Sequence, residues 1–320
     1  MIFRRFPIAV VALALAFPAA AQTFPSQPIR LIAPFPPGGS VDIMARLIAE
    51  PLGNQLGTRI IIDNRSGASG NIGMEAAARA APDGYTVVLN TIPLATNQSL
   101  FGKLNWDPIK DFAPIGMVAT SPHVLVVHNK VPARTVDDLV RLARASPGKL
   151  SYASAGVGTT FHLCGEMFKD STGTFILHIP YRGGGPALLD TLAGQVEMSF
   201  PTLSAALPHV KAGTLRALAV TDTTRSSLLP DVPTLREAGV KDFQFTQWLA
   251  LLAPANTPPT VVSRLNSALR NALNTQDVRD KFQAQAFEAF LTAPEEAGKF
   301  IAGEVQRFSK LIKTRGITAN

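Results

Sequence analysis

The chain is sparing with the residues that usually announce chemistry. Cys164 is the one cysteine among 320 residues, so no internal disulfide can form, and the residue reads as a thiol packed on a helix. No uninterrupted apolar run reaches the ~18 residues that a membrane-spanning helix needs. Charge is thin: 30 Lys+Arg against 23 Asp+Glu give a net +7, with no basic block of the kind that tracks nucleic acid. HExxH, CxxC, EF-hand and Walker patterns are missing, so neither a metal nor a cofactor is expected. Gly156-Val157-Gly158 has no third glycine for a dinucleotide fingerprint. Ser40 and Ser69 lie in glycine-rich turns, but neither sits in G-x-S-x-G, and no catalytic residue is assigned. His123 and His128, five apart on an expected strand, face opposite sides and cannot share a metal. No period of about 20–50 residues recurs, which removes a solenoid.

Punctuated loops are what the chain does have. Residues 1–21 read as a secretory signal: Arg4 and Arg5, then the apolar Ile8–Phe17, then Ala19-Ala20-Ala21 as a cleavage site. Setting those two arginines aside leaves 28 basic against 23 acidic residues, a net +5 on the exported chain. Ile29–Ala33 reads as a buried strand, and Ile43, Leu47 and Ile48 follow at helical spacing. Between them, Pro34-Phe35-Pro36-Pro37-Gly38-Gly39-Ser40 stiffens and then frees the backbone, with Ser40 expected to cap the helix and Asp42 in its first turn. Ser154-Ala155-Gly156-Val157-Gly158-Thr159-Thr160 repeats that arrangement later. Both loops present the amides of a helix start, which favour an anion. An ordinary strand-to-helix turn would read the same way.

Alternating strands and helices frame these loops and argue for two parallel α/β sheets. Residues 94–114 read as irregular, anchored by Trp106 and Phe112. Strand-like residues 115–119 and 124–127 suggest one crossing between domains, and 243–253 the return. The expected division is residues 22–122 with 247–320 as one domain and 123–246 as the other.

Several ordered motifs resemble one family. They are Pro36-Pro37-Gly38-Gly39-Ser40-Val41-Asp42, Asn64-Arg65-Ser66-Gly67-Ala68-Ser69-Gly70-Asn71, Ala81-Pro82-Asp83-Gly84-Tyr85, Tyr152-Ala153-Ser154-Ala155-Gly156, Ile179-Pro180-Tyr181-Arg182-Gly183 and Leu251-Leu252-Ala253-Pro254. Across essentially the whole exported chain the sequence is similar to the Bug family, periplasmic solute-binding proteins of tripartite tricarboxylate transporters. The resemblance implies a Venus-flytrap fold: two Rossmann-like lobes joined by two crossing strands, closing on a small carboxylate. It further implies a monomer that serves inner-membrane transporter subunits. A sensor that presents its ligand to a receptor would share the same site, and a hydrolase is the enzyme class left to test.

Carried over, the ligand-holding positions are Phe35, Pro36, Pro37, Gly38, Gly39 and Ser40, facing Ser154, Ala155, Gly158, Thr159, Thr160 and Phe161. Ala68, Ser69, Tyr181, Phe200 and Thr202 would surround the far end. Phe161 is expected either to narrow the cleft or to belong to the core. Phe200-Pro201-Thr202 departs from the Phe-x-Asn or acidic pattern of the family, which argues against a ligand carrying an ammonium group.

Overall fold

The computed structural model describes residues 24–318, so the expected signal segment lies outside the described residues. β1 (Ile29–Ala33) leads through the first loop into α1 (Ser40–Leu56), which Gly57 ends in the left-handed conformation. β2 (Ile60–Asn64), α2 (Asn71–Ala78), β3 (Thr86–Asn90), α3 (Pro93–Phe101) and β4 (Phe112–Pro122) complete the first half of this lobe. β1 lies between β2 and β3, parallel to both, and is covered on both faces. Such a strand has little solvent side, which is why four of its five residues are apolar; the fifth, Arg30, is half-buried and reaches Asp63 and Thr86 on the neighbouring strands.

The chain changes sheets across a single residue, His123, and enters β5 (Val124–His128). The second lobe follows: α4 (Val136–Ala145), β6 (Ser151–Ser154), α5 (Thr160–Thr172), β7 (Leu177–Pro180), α6 (Gly184–Leu192), β8 (Met198–Ser199), α7 (Leu203–Lys211) and β9 (Leu215–Val220). Its sheet runs β7-β6-β8-β5-β9. The chain returns through β10 (Thr246–Pro254), which pairs antiparallel with β4 from Thr246↔Pro122 to Pro254↔Phe112. α8 (Pro259–Leu273), α9 (Gln276–Ala284), β11 (Glu288–Ala289) and α10 (Pro294–Thr314) finish the first lobe, whose sheet runs β11-β4-β10-β3-β1-β2. Both sheets are therefore mixed rather than wholly parallel.

The two crossings are tied together in the interior. The His123 amide donates to Thr221 Oγ1 at 2.9 Å, and that hydroxyl donates to the Phe245 carbonyl at 2.6 Å. His123 and Thr221 are wholly buried, so this knot is shielded from competing water.

Residues 94–114 hold a helix where an irregular segment is expected. α3 buries Leu94 and Ala95 together with the polar Thr96 and Asn97, so it lacks the apolar stripe by which a helix is read from sequence. Trp106 and Phe112 do meet, edge to face with centroids 6.0 Å apart. Cys164 is buried on α5, and burial pushes its thiol well above the usual value.

Candidate ligand-binding site

The first loop is held from below by Asp42. Its carboxylate receives the Gly38 amide at 3.1 Å, Asn64 Nδ2 at 3.1 Å and two guanidinium contacts from Arg46 at 3.0 Å. Burial alone would raise the Asp42 pKa, but hydrogen bonds from Arg46, Gly38 and Asn64 outweigh it and hold the group below its ordinary value. Gly38 has φ +86°, open to glycine and strained for any other residue. The helical cap differs from expectation: Gly39 is the N-cap, and Ser40 is already inside the helix. Ser40 Oγ donates instead to Gln247 Oε1, at 3.3 Å. The first backbone bond of α1 runs from the Ile43 amide to the Gly39 carbonyl, which leaves the amides before Ile43 without helical acceptors.

Neutral groups hold the second loop. Ser154 Oγ shares a 2.6 Å hydrogen bond with His178 Nε2 and accepts the Gly156 amide at 3.1 Å. The Gly158 amide donates to His162 Nδ1 at 3.2 Å, which places the proton of the neutral ring on Nε2. His162 stacks on His178, and His178 stacks on Tyr152, whose hydroxyl donates to Glu166. Burial lowers the pKa of His162 to about 4. Burial, with His162 beside it, lowers that of His178 to about 3. Thr159 Oγ1 spends its proton on the Gly156 carbonyl at 2.6 Å. Ser154 and His178 have the spacing of a nucleophile and its base, but Ser154 is wholly buried and lines neither chamber described below.

The lobes meet along a seam of glycine. A Cβ on Gly185 would stand 2.6 Å from the Pro37 carbonyl, and one on Gly183 would overlap the Pro36 ring. Thr96 Oγ1 crosses from the first lobe to the Gly158 carbonyl at 2.8 Å. Behind the seam lies a small inner chamber of about 30 Å³. Phe35, Gly39, Ser40, Val41, Thr91 and Pro93 line it from the first lobe, and Ala155, Thr159, Thr160, Phe161 and Gly184 from the second. Gln247 lines it from β10. An outer recess of about 260 Å³ shares Phe35 and Ala155 as a wall and adds Ala68, Ser69, Phe101, Tyr181 and Arg182. Arg182 is the one charged side chain among the described residues that line either chamber.

The two loops thus converge as the sequence leads one to expect. Phe35, Gly39, Ser40, Ala155, Thr159, Thr160 and Phe161 face the inner chamber, and Ala68, Ser69 and Tyr181 the outer one. Phe161 serves both expectations: it lines the chamber and packs edge-on against His123, centroids 5.6 Å apart. Pro36, Pro37 and Gly38 form the seam, and Gly158 packs against Thr96, Asn97 and Leu100. Three residues lie elsewhere. Ser154 turns beneath its loop to His178, and Phe200 packs on Phe168 in the core. Thr202 bridges His123 and accepts from Ser204. Thr91, Gly184 and Gln247 line the inner chamber without having been expected there. Gly184 had a signal, since Gly183-Gly184-Gly185 opens a third helix in the same way.

Comparison with known proteins agrees with this fold. Residues 44–317 match the model of the tripartite tricarboxylate transporter family receptor. BugT of Bordetella pertussis is 38% identical over 304 residues, covering 94% of this chain and 93% of its own. A solved protein of R. palustris with adipate superposes with a TM-score of 0.90 at 36% identity, covering 92% of this chain and 99% of its own. MatC of Rhodopseudomonas palustris with bound malate gives 0.84 at 30% identity, covering 90% and 100%.

Proposed function

Because the chain belongs to the tripartite tricarboxylate transporter receptor family, we propose that it captures a small organic acid in the periplasm and hands it to the membrane subunits of a tripartite transporter. In this reading the lobes are residues 22–122 with 247–320 and residues 123–246. The observation that carries it is the inner chamber: helix starts from opposite lobes open onto one space lined by no charged side chain. Unpaired amides at the positive ends of two helices suit a carboxylate better than any neutral group. The apolar walls, Phe35, Pro93 and Phe161, exclude the water that would weaken those bonds.

Capture is hinge closure. An acid first bound by one lobe gains the other lobe's amides only when the seam shuts, and that difference in affinity is what favours the shut form. The outer recess receives the far end of the ligand, where Tyr181 and Arg182 suit a second acid or a polar group. Adipate and malate, held by the two Rhodopseudomonas relatives, both have two acid ends. Because no carboxylate lines either chamber among the described residues, an α-amino acid leaves its ammonium unpaired.

The test is a thermal-shift screen of organic acids followed by calorimetric titration. Adipate, malate or a near relative is expected to raise the melting temperature by mass action, and glutarate to bind well ahead of glutamate. A panel of mono- and dicarboxylates that produces no shift would remove the reading.

A further inference from the structure

Among the described residues, six buried side chains hold a polar atom with no hydrogen-bond partner. Two of them, Thr91 Oγ1 and Gln247 Nε2, belong to residues that line the inner chamber. Thr91 is 4% exposed and Gln247 1%, so bulk water does not satisfy either group. A well-packed interior rarely leaves such atoms idle, and two on the wall of one chamber are explained together if something that enters the chamber pairs with both.

We infer that Thr91 and Gln247 form a neutral polar floor that donates hydrogen bonds to the acid group of the bound ligand, making Gln247 a specificity-determining residue. This rests on the carboxylate-binding reading above. Gln247 Oε1 is already engaged by the Ser40 hydroxyl, so only its Nε2 protons remain, and a proton donor selects an acceptor such as a carboxylate oxygen. Thr91, at the end of β3, brings a second donor from a different segment of chain. The helix-start amides supply the field for negative charge, and the floor fixes which way the acid group is turned. Gln247 also stands opposite Ser121 in the paired crossing strands, so a ligand seated on it touches the hinge as well as both lobes.

The experiment is calorimetric titration of the exported chain with adipate and with malate. Gln247→Leu and Thr91→Val should each lose at least tenfold in affinity for whichever acid binds the unaltered protein. Gln247→Glu, which sets a like charge on the floor, should lose more than either. In the absence of ligand, the melting temperature of Thr91→Val should be unchanged or higher, because it removes an unpaired buried group, whereas Gln247→Leu exchanges the unpaired Nε2 for an unpaired Ser40 hydroxyl and should stay close to the parent. Affinities within twofold in both variants would overturn the floor while leaving carboxylate binding intact. If the unaltered protein binds neither these acids nor any other in the panel, both readings fall together.

Discussion

The two loops that face each other across the cleft have nearly the same shape and opposite foundations. The first hangs on an ionised carboxylate, Asp42, held by Arg46, Asn64 and the Gly38 amide. The second hangs on two buried imidazoles, His162, whose Nδ1 can take the Gly158 amide only while the ring is neutral, and His178 beneath Ser154. A glycine-punctuated helix start therefore does not dictate what secures it; any acceptor that takes the stray loop amide will serve. The choice matters for the ligand. The Asp42 charge is compensated by Arg46, neither of them lines either chamber, and the neutral histidines add no charge, so neither foundation opposes an anion there.

The largest effect should come from the place where both loops depend on contact. Gly185→Val would drive a side chain into the Pro37 carbonyl and hold the seam apart. Affinity for the cognate acid is expected to fall by about 100-fold or more, since half of the donors are lost, while the melting temperature of the ligand-free protein stays close to that of the parent. Calorimetry beside a melting curve reads both.

Removing the charged foundation should cost the fold itself. Asp42→Ala breaks the charge-assisted bonds to the Gly38 amide and to Arg46 and leaves Asn64 with only the Phe35 carbonyl, and a loss of about 2 kcal/mol in urea unfolding is expected. An unchanged midpoint would mean that the loop is secured elsewhere.

Acid should separate the two foundations in order. His162 and His178 have folded values near 4 and 3, below the ordinary 6.5, and His123 at the hinge is likewise near 4 through burial. The unfolded chain takes up their protons first, so the stability they contribute is whole above about pH 6.5 and drains away as pH falls towards their folded values. Asp42 is shifted the other side of 3.8, and its contribution is lost only below that. Melting temperature should accordingly decline between pH 6.5 and 4 before the carboxylate responds. His178→Gln, which keeps a partner for Ser154, should flatten that decline; an equal slope in the variant would place the protons elsewhere.

The smallest effect belongs to Ser40. Its hydroxyl proton is committed to Gln247 across a long 3.3 Å, so Ser40→Ala should weaken binding by roughly 0.5 kcal/mol. A loss several times larger would show the hydroxyl turning to the ligand on closure.

Much of this was legible in the sequence because the backbone does the work. Glycine at positions 38, 156 and 158, followed by helical spacing, points to exposed amides whatever the neighbours are, and the run 29–33, apolar but for Arg30, marks a central strand. Side chains that act across the chain were not legible. Gln247 lies 207 positions from Ser40, and Thr96 reaches Gly158 from a helix with no apolar stripe; nothing local distinguishes either from a surface residue. Ser154, Phe200 and Thr202 fail in the opposite way. They sit at strand ends near the cleft, but burial and hydrogen-bond demand turn them inward, a choice made by His178, Phe168 and His123 rather than by the sequence around them.

The glycine rim has a kinetic corollary. Where Gly38 faces Gly185, a Cβ built on Gly38 would just touch the Gly185 Cα at 3.8 Å, and neither residue has a side chain to withdraw as the lobes part. On the proposed reading, residence time would be governed by the bonds to the acid together with the Thr96–Gly158 bridge. A poorly matched guest would then escape as fast as the crossing strands can flex, and a well-matched one would hold the lobes together.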